Sequence, residues 1–201
     1  MPLEVKDVSY RYGKKSPWII RDAYFTLNPG EVTGIFGPSG CGKSTLARIA
    51  TGYEKPVLGQ VTLGGCRLKR NGFNPVQLIG QHPEKAVNPR WRMNAILSEG
   101  WKPDERVISA LGIEKAWLNR WSNELSGGEL QRFCVARSLS PETRYLVADE
   151  ITTMLDAVTQ AQIWEVLLDH VKSRKIGLLA ISHDRALLER ICGNIMEWEL
   201  P

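Results

Sequence analysis

The stretch IFGPSGCGKST, residues 35–45, places a glycine-rich turn between an apolar run and a segment of helical pattern. It contains Gly37-x4-Gly42-Lys43-Ser44, the spacing of a phosphate-binding loop. Glycines let such a turn curl until successive backbone N–H groups face inward, and the following helix adds the positive end of its dipole. We therefore predict a nucleotide site in which Lys43 contacts the β- and γ-phosphates and the Ser44 hydroxyl binds Mg²⁺.

The composition is that of an ordinary globular protein. The chain has 201 residues, of which 43% are hydrophobic and 24% charged, with a net charge of +4. This is enough for one sizeable domain with its own core. Four cysteines without a CxxC pair favour reduced thiols over a disulfide framework or a zinc site. Basic residues cluster only at Arg67, Lys69 and Arg70, so we expect no nucleic-acid partner. The sequence shows neither a signal-peptide pattern nor an apolar run of membrane-spanning length.

The order of apolar runs and helical patterns predicts an α/β fold with a parallel sheet covered on both faces. Residues 1–36 are predicted as strands, followed by an edge strand at 59–65 and buried strands at 75–81, 145–148 and 176–181. Helices are predicted at 42–51, 129–140, about 157–172 and 185–192. A helical subdomain is expected at about 85–124, inserted in a single domain 1–201. Its tryptophans, which either fill a core or serve docking, are Trp91, Trp101, Trp117 and Trp121.

Two carboxylates follow the apolar strand in RYLVADE, residues 144–150. We expect Asp149, at the end of a strand next to the one that leads into the phosphate loop, to hold Mg²⁺ or its water shell. Glu150 is placed to face the γ-phosphate and to polarise an attacking water.

Two other strands end in polar residues. His183 follows the strand in AISHD, and beside Glu150 it can contact the γ-phosphate. Gln81 follows the strand in LIGQH, and its amide can reach Mg²⁺ or the attacking water. Since Gln81 also opens the helical insert, a movement of Gln81 is expected to move that insert.

The stretch ELSGGELQR, residues 124–132, begins a helix in an unusual way. Ser126 and Glu129 form a capping box, but the first turn contains Gly127 and Gly128, each of which costs about 0.5–1 kcal/mol relative to alanine. An apolar face with Leu130 at its start continues the helix.

These stretches, together with MLD at 154–156 and in this order, resemble the ATPase domain of the ATP-binding-cassette (ABC) superfamily from Leu3 to about Trp198. The resemblance implies a P-loop NTPase with an N-terminal antiparallel β part, and ATP and Mg²⁺ as cofactors. It implies that Tyr12 stacks on adenine, although Tyr10 is a competitor for this role. The residues it assigns to the phosphate loop are Gly37, Pro38, Ser39, Gly40, Cys41, Gly42, Lys43, Ser44 and Thr45, and those it assigns to Mg²⁺ are Ser44, Gln81 and Asp149.

The resemblance also gives the two glycines a purpose. In ABC ATPases two domains face each other head to tail, so Ser126, Gly127 and Gly128 of one copy would meet the γ-phosphate held by the other. The resemblance places Asp156 near the same interface. Because a side chain would block this approach, glycine is required where the isolated helix would prefer another residue.

A finer resemblance is to the importer ATPases for nickel and peptides, through QHPEKAVNPRWRM (81–93) and LDAVTQAQIWEVL (155–167). It implies a second ATPase chain, which is a paralogue or a second copy, two permeases and an extracytoplasmic binding protein. The location it implies is the cytoplasmic face of the membrane. The amino-acid sequence of residues 86–90 is more similar to the nickel or metal-chelate branch than to the peptide branch.

The sequence departs from the family pattern at two places, and two other classes of protein are alternatives. Ile151 stands where many relatives have proline, which leaves the stiffness of that loop open, and the chain stops where peptide importers continue with a cysteine-bearing extension. A non-transport ABC ATPase of DNA repair or translation would carry a long coiled coil or two cassettes. A small-molecule kinase would leave the Ser126 helix unexplained.

Overall fold

The computed structural model describes residues 1–68 and 72–199 and contains two β-sheets. Lys69 and Arg70 of the basic cluster lie outside the described residues. No helix in the described ranges has the length and apolarity that a membrane crossing requires.

The first sheet is antiparallel and is built mainly from the N-terminal residues. Its order is β2-β1-β4-β5, with β1 at Leu3–Tyr10, β2 at Ile20–Leu27, β4 at Leu58–Leu63 and β5 at Cys66–Arg67. The prediction of β4 as an edge strand was wrong, because Thr62 and Leu63 pair with the short strand β5.

The second sheet is parallel and has five strands in the order β6-β7-β8-β3-β9. The strands are β3 at Val32–Phe36, β6 at Val76–Ile79, β7 at Tyr145–Asp149, β8 at Gly177–Ser182 and β9 at Asn194–Glu197. The expectation that Asp149 ends a strand next to the phosphate-loop strand was wrong. All six residues of β8 are buried, and β8 pairs with both β7 and β3, so it separates the two.

Six α-helices complete the described fold, within two residues of the predicted bounds where a helix was predicted individually. They are α1 at Lys43–Ala50, α2 at Met93–Leu97, α3 at Glu105–Ala110, α4 at Gly127–Ser138, α5 at Ala157–Arg174 and α6 at Arg185–Ile191. Short 3₁₀ turns lie at Pro83–Lys85, Lys115–Asn119 and Ser122–Glu124. The predicted capping box at the start of α4 is confirmed: the Glu129 N–H donates to Ser126 Oγ (3.2 Å), and the Ser126 N–H donates to Glu129 Oε2 (2.7 Å).

The parallel sheet is covered on both faces, as predicted. On one face α1 packs in a cluster with the antiparallel sheet, and Leu46 and Ile49 of α1 are fully buried there. On the other face α4 and α5 pack with the short helices, and Phe133 and Leu167 are fully buried. The chain therefore has the α/β architecture of a P-loop NTPase.

The four tryptophans of the helical stretch divide into two pairs. Trp117 is buried and Trp101 is half-buried, with its indole N–H donating to the Arg137 carbonyl at 2.8 Å. Trp91 and Trp121 are 40% and 37% exposed, and the Arg92 guanidinium lies 5.1 Å from the centre of the Trp121 ring. Core packing therefore accounts for Trp101 and Trp117 and leaves the other two at the surface.

Candidate active site

The strands of the parallel sheet bring the predicted polar residues to one edge. In the register of the sheet Phe36 pairs with Ser182, Asp149 with Ile181, and Ile79 with Ala148. Because parallel strands end at the same edge, the loops that follow β3, β6, β7 and β8 lie side by side.

Glu150 stands at the centre of this edge in an unusual backbone conformation. Its φ is +49°, a left-handed conformation that costs a residue with a side chain about 1–2 kcal/mol. Its N–H donates to the Ile181 carbonyl at 3.0 Å, which extends the ladder between β7 and β8. A strained residue that the surrounding structure holds in place is characteristic of a functional site.

The Glu150 side chain is 12% exposed. Three side chains from the other loops surround its carboxylate. The Gln81 amide donates to Oε2 at 3.2 Å, and His183 Nδ1 lies 3.3 Å from the same oxygen. Lys43 Nζ lies 3.8 Å from Oε1. The structure thus brings together Gln81, Glu150 and His183 and adds the cation of the phosphate loop to them.

Lys43 is buried against its own loop. Its ammonium donates to the carbonyls of Gly37 (2.7 Å) and Pro38 (2.8 Å), and the residue is 5% exposed. A buried cation is tolerated only when such partners replace water.

The glycines of the loop serve different purposes. Gly40 and Gly42 have φ of +82° and +91°, a region that favours glycine, and no described atom lies within 4 Å of a Cβ built at Gly40. Gly37 is required for another reason, because a Cβ there would overlap the Trp198 carbonyl oxygen. Pro38, Ser39 and Gly40 are exposed, as an approaching ligand requires, whereas the Cys41 and Thr45 side chains are buried.

Asp149 and Ser44 form a place that fits a divalent cation. Asp149 is 7% exposed, and within the described residues its Oδ1 has no hydrogen-bond partner. Burial raises the pKa of Asp149, while a hydrogen bond with the Ser44 hydroxyl opposes this shift. Carboxylate and hydroxyl oxygens are ligands that Mg²⁺ prefers.

Tyr12 lies beside the phosphate loop with its ring accessible. It is 63% exposed, and its hydroxyl lies 3.1 Å from Thr45 Oγ1 at the start of α1. The competitor Tyr10 is only 7% exposed, and its hydroxyl donates to Glu54 at 3.3 Å. Of the two rings, only that of Tyr12 is open enough to receive a base.

Ser126, Gly127 and Gly128 face an open groove of about 520 Å³ whose lining also includes Gln81, Glu150 and Asp156. Residues 37–45 are absent from the described lining of this groove. A Cβ at Gly127 would meet no described atom within 4 Å. The first turn of α4 is thus accessible from outside.

The Asp156 carboxylate has a structural role at the start of α5. It accepts from the N–H groups of Val158 (3.1 Å) and Thr159 (3.0 Å) and caps the N-terminus of α5. These bonds lower the pKa of Asp156.

Sequence reasoning missed a contact between α4 and the segment 80–86, which contains Gln81. Side chains at three positions spaced by three residues along α4 reach the backbone carbonyls of that segment. The contacts are Gln131 Nε2 to Gly80 O (3.3 Å), Cys134 Sγ to Pro83 O (3.8 Å) and Arg137 Nη1 to Ala86 O (2.9 Å). The spacing of polar residues on one helix face was the available signal.

Comparison with known proteins agrees with this geometry. The model of the family described as ABC transporter matches residues 20–153. The chain belongs to the ABC transporter family. As a member of its ATP-binding cassettes it binds and hydrolyses ATP, and the resemblance seen in the sequence is confirmed.

Individual proteins with known descriptions are also similar. The chain is 35% identical over 207 residues to "Nickel import system ATP-binding protein NikE" of Staphylococcus aureus, covering 96% of this chain and 85% of that protein. The solved dimeric cassette MJ0796 bound to ADP and Pi has a TM-score of 0.80 at 21% identity, covering 98% of this chain and 94% of that one. The cassette cbiO1 from Clostridium perfringens has a TM-score of 0.79 at 23% identity, covering 98% and 84%. The solved structures show that the fold is shared.

The contact between His183 and Glu150 yields a test with a control inside the same chain. We expect His183→Ala to lower kcat for ATP hydrolysis by about 100-fold, because the predicted contact of His183 with the γ-phosphate would be lost. His82→Ala is the control. His82 has the same 45% exposed side chain and the same 3.3 Å distance to a glutamate, but its partner is Glu84 and not Glu150. Equal rates for the two variants in a steady-state assay with Mg²⁺ and ATP would contradict the assignment.

Proposed function

We propose that this chain is the ATP-hydrolysing subunit of an ABC importer that takes up nickel, a metal chelate or small peptides. The observation that carries the proposal is the convergence of Gln81, His183 and Lys43 on the Glu150 carboxylate at the edge of the sheet. The similarity to the nickel import ATP-binding protein over almost the whole chain supports the transport role.

The nucleotide would be held from three sides. Backbone N–H groups of the loop and Lys43 bind the phosphates, and the exposed ring of Tyr12 stacks on adenine. Ser44 and Asp149, together with Gln81, hold Mg²⁺, which neutralises charge on the phosphates when it is bound.

Glu150 is the residue that polarises the attacking water. The amide of Gln81 and the imidazole of His183 lie on the same carboxylate oxygen, so they fix where that oxygen points. With its side chain 45% exposed, His183 remains accessible to the γ-phosphate.

A second cassette completes the site. Ser126 and Gly127 are exposed and Gly128 is half-buried at the positive end of the 12-residue helix α4, where an anion is favoured. They line an open groove whose described lining lacks residues 37–45, which supports the proposal that they receive ATP held by a partner. Asp156 would lie at the same interface. The similar cassette MJ0796 is described as dimeric.

The remaining partners follow from the relatives. The cassette cbiO1 is described as part of the transporter complex cbiONQ, and we propose that this chain likewise binds two permease subunits at the cytoplasmic face of the membrane. An extracytoplasmic solute-binding protein would supply the cargo. The name of the nickel import relative favours nickel or a metal chelate over peptides.

Ser126→Arg tests the shared site. We expect kcat for ATP hydrolysis to fall by at least about 100-fold, because the arginine blocks the partner's γ-phosphate, while the Kd for ATP changes by less than about threefold. Ser109→Arg, at an exposed position of α3, should retain normal hydrolysis. A Ser126→Arg variant that hydrolyses ATP at the normal rate would contradict the shared site.

Transport is tested by cell fractionation with the permeases whose genes lie nearest to the gene for this chain. We expect the chain to sediment with membranes when these permeases are co-expressed and to stay in the supernatant when it is expressed alone. Metal analysis and mass spectrometry of the co-purified solute-binding protein should then find nickel, a metal chelate or a small peptide. If the chain stays in the supernatant when the permeases are co-expressed, and if it binds DNA in a salt-sensitive way, it would instead be a non-transport ATPase.

A further inference from the structure

Trp198, the residue that follows β9, contacts the phosphate loop. β9 pairs in parallel with β3, and Glu197 is opposite Phe36, so Trp198 lies beside the start of the loop. The Trp198 N–H donates to the Phe36 carbonyl at 2.7 Å, and its indole N–H donates to the Cys41 carbonyl at 3.0 Å. One residue thus bonds to both ends of the stretch that precedes α1.

The fit between Trp198 and the loop is close. The Trp198 carbonyl occupies the place where a side chain at residue 37 would lie, so the loop backbone passes directly against it. The Trp198 ring is half-buried and packs against the core cluster that contains Ile35 and Leu46. The indole is therefore anchored on the core and is not a free surface side chain.

The bond to the Cys41 carbonyl has a consequence for the neighbouring N–H group. A trans peptide is planar, so its C=O and N–H point in opposite directions, and every described peptide bond is trans. Holding the Cys41 carbonyl toward Trp198 therefore directs the Gly42 N–H away from it. Gly42, with a φ of +91°, could otherwise adopt many conformations.

We propose that Trp198 is a positioning residue for the nucleotide: its indole N–H fixes the Cys41–Gly42 peptide so that the Gly42 N–H faces the phosphates. This inference rests on the proposed nucleotide site in the loop. Pre-orientation of a donor strengthens binding, since the loop loses less conformational freedom when the ligand arrives. A donor that binds the phosphates equally in the ground state and in the transition state acts on nucleotide affinity and leaves the chemical step unchanged, and this is the effect we expect of the Gly42 N–H.

Trp198→Phe removes the indole N–H and retains an aromatic ring, and Trp101→Phe is its matched control. Trp101 is also half-buried and donates its indole N–H to a backbone carbonyl, that of Arg137, at 2.8 Å in the helical layer. Both variants lose one indole-to-carbonyl bond, so both should lower Tm to a similar extent. Only Trp198→Phe should change nucleotide affinity.

The measurements are the Kd for ATP and for ADP by calorimetry with Mg²⁺, and kcat and KM in steady state. For Trp198→Phe we expect both Kd values and KM to rise about 3- to 10-fold, with kcat within about twofold of the wild type. Kd values within about twofold of the wild type, or an equal rise in Trp101→Phe, would overturn the proposal. A wild-type chain that does not bind ATP would instead overturn the nucleotide site itself.

If Trp198→Phe does not fold, 3-benzothienylalanine at position 198 replaces it. This residue retains both rings and has sulfur in place of the N–H. The same 3- to 10-fold rise in Kd is expected, and an unchanged Kd would overturn the proposal.

Discussion

The whole site depends on the common direction of the parallel strands, which end at one edge and bring acidic, basic and amide groups within contact of the Glu150 carboxylate. These groups would be costly to bury separately. Lys43 is compensated by hydrogen bonds to two loop carbonyls and by the charge of Glu150 at 3.8 Å, and these interactions together keep a cation at a position that is 5% exposed. The loop itself therefore holds a positive charge of the kind that a phosphate ligand needs.

The two layers that cover the parallel sheet support different parts of the site. α1 and the antiparallel sheet, together with Trp198 behind the loop, support the phosphate side. On the opposite face, α4 holds the segment 80–86 through three side chains. Gln81 lies in that segment and Ser126 caps α4, so packed contacts connect the two residues.

The local patterns of the sequence were sufficient for the phosphate loop, the capping box at Ser126 and most element bounds, because these depend on neighbouring residues. The order of the strands was not available. β7 and β8 are both fully buried apolar runs, and nothing in such a run indicates which one lies next to β3. β9 was missed because its four half-buried or exposed residues lack an apolar run. The exposed Trp91 and Trp121 could not be told from the buried Trp117, since tryptophan suits either setting.

The proposed hydrolysis depends most on Glu150 as the residue that polarises water, and single-turnover hydrolysis by Glu150→Gln tests this role directly. Glutamine retains the size of the side chain but cannot accept a proton. We expect ATP to bind as tightly as in the wild type or more tightly, because a negative charge near the phosphates is removed, and the bound ATP to persist with hydrolysis slowed at least about 100-fold. Hydrolysis within a few-fold of the wild-type rate would contradict the account.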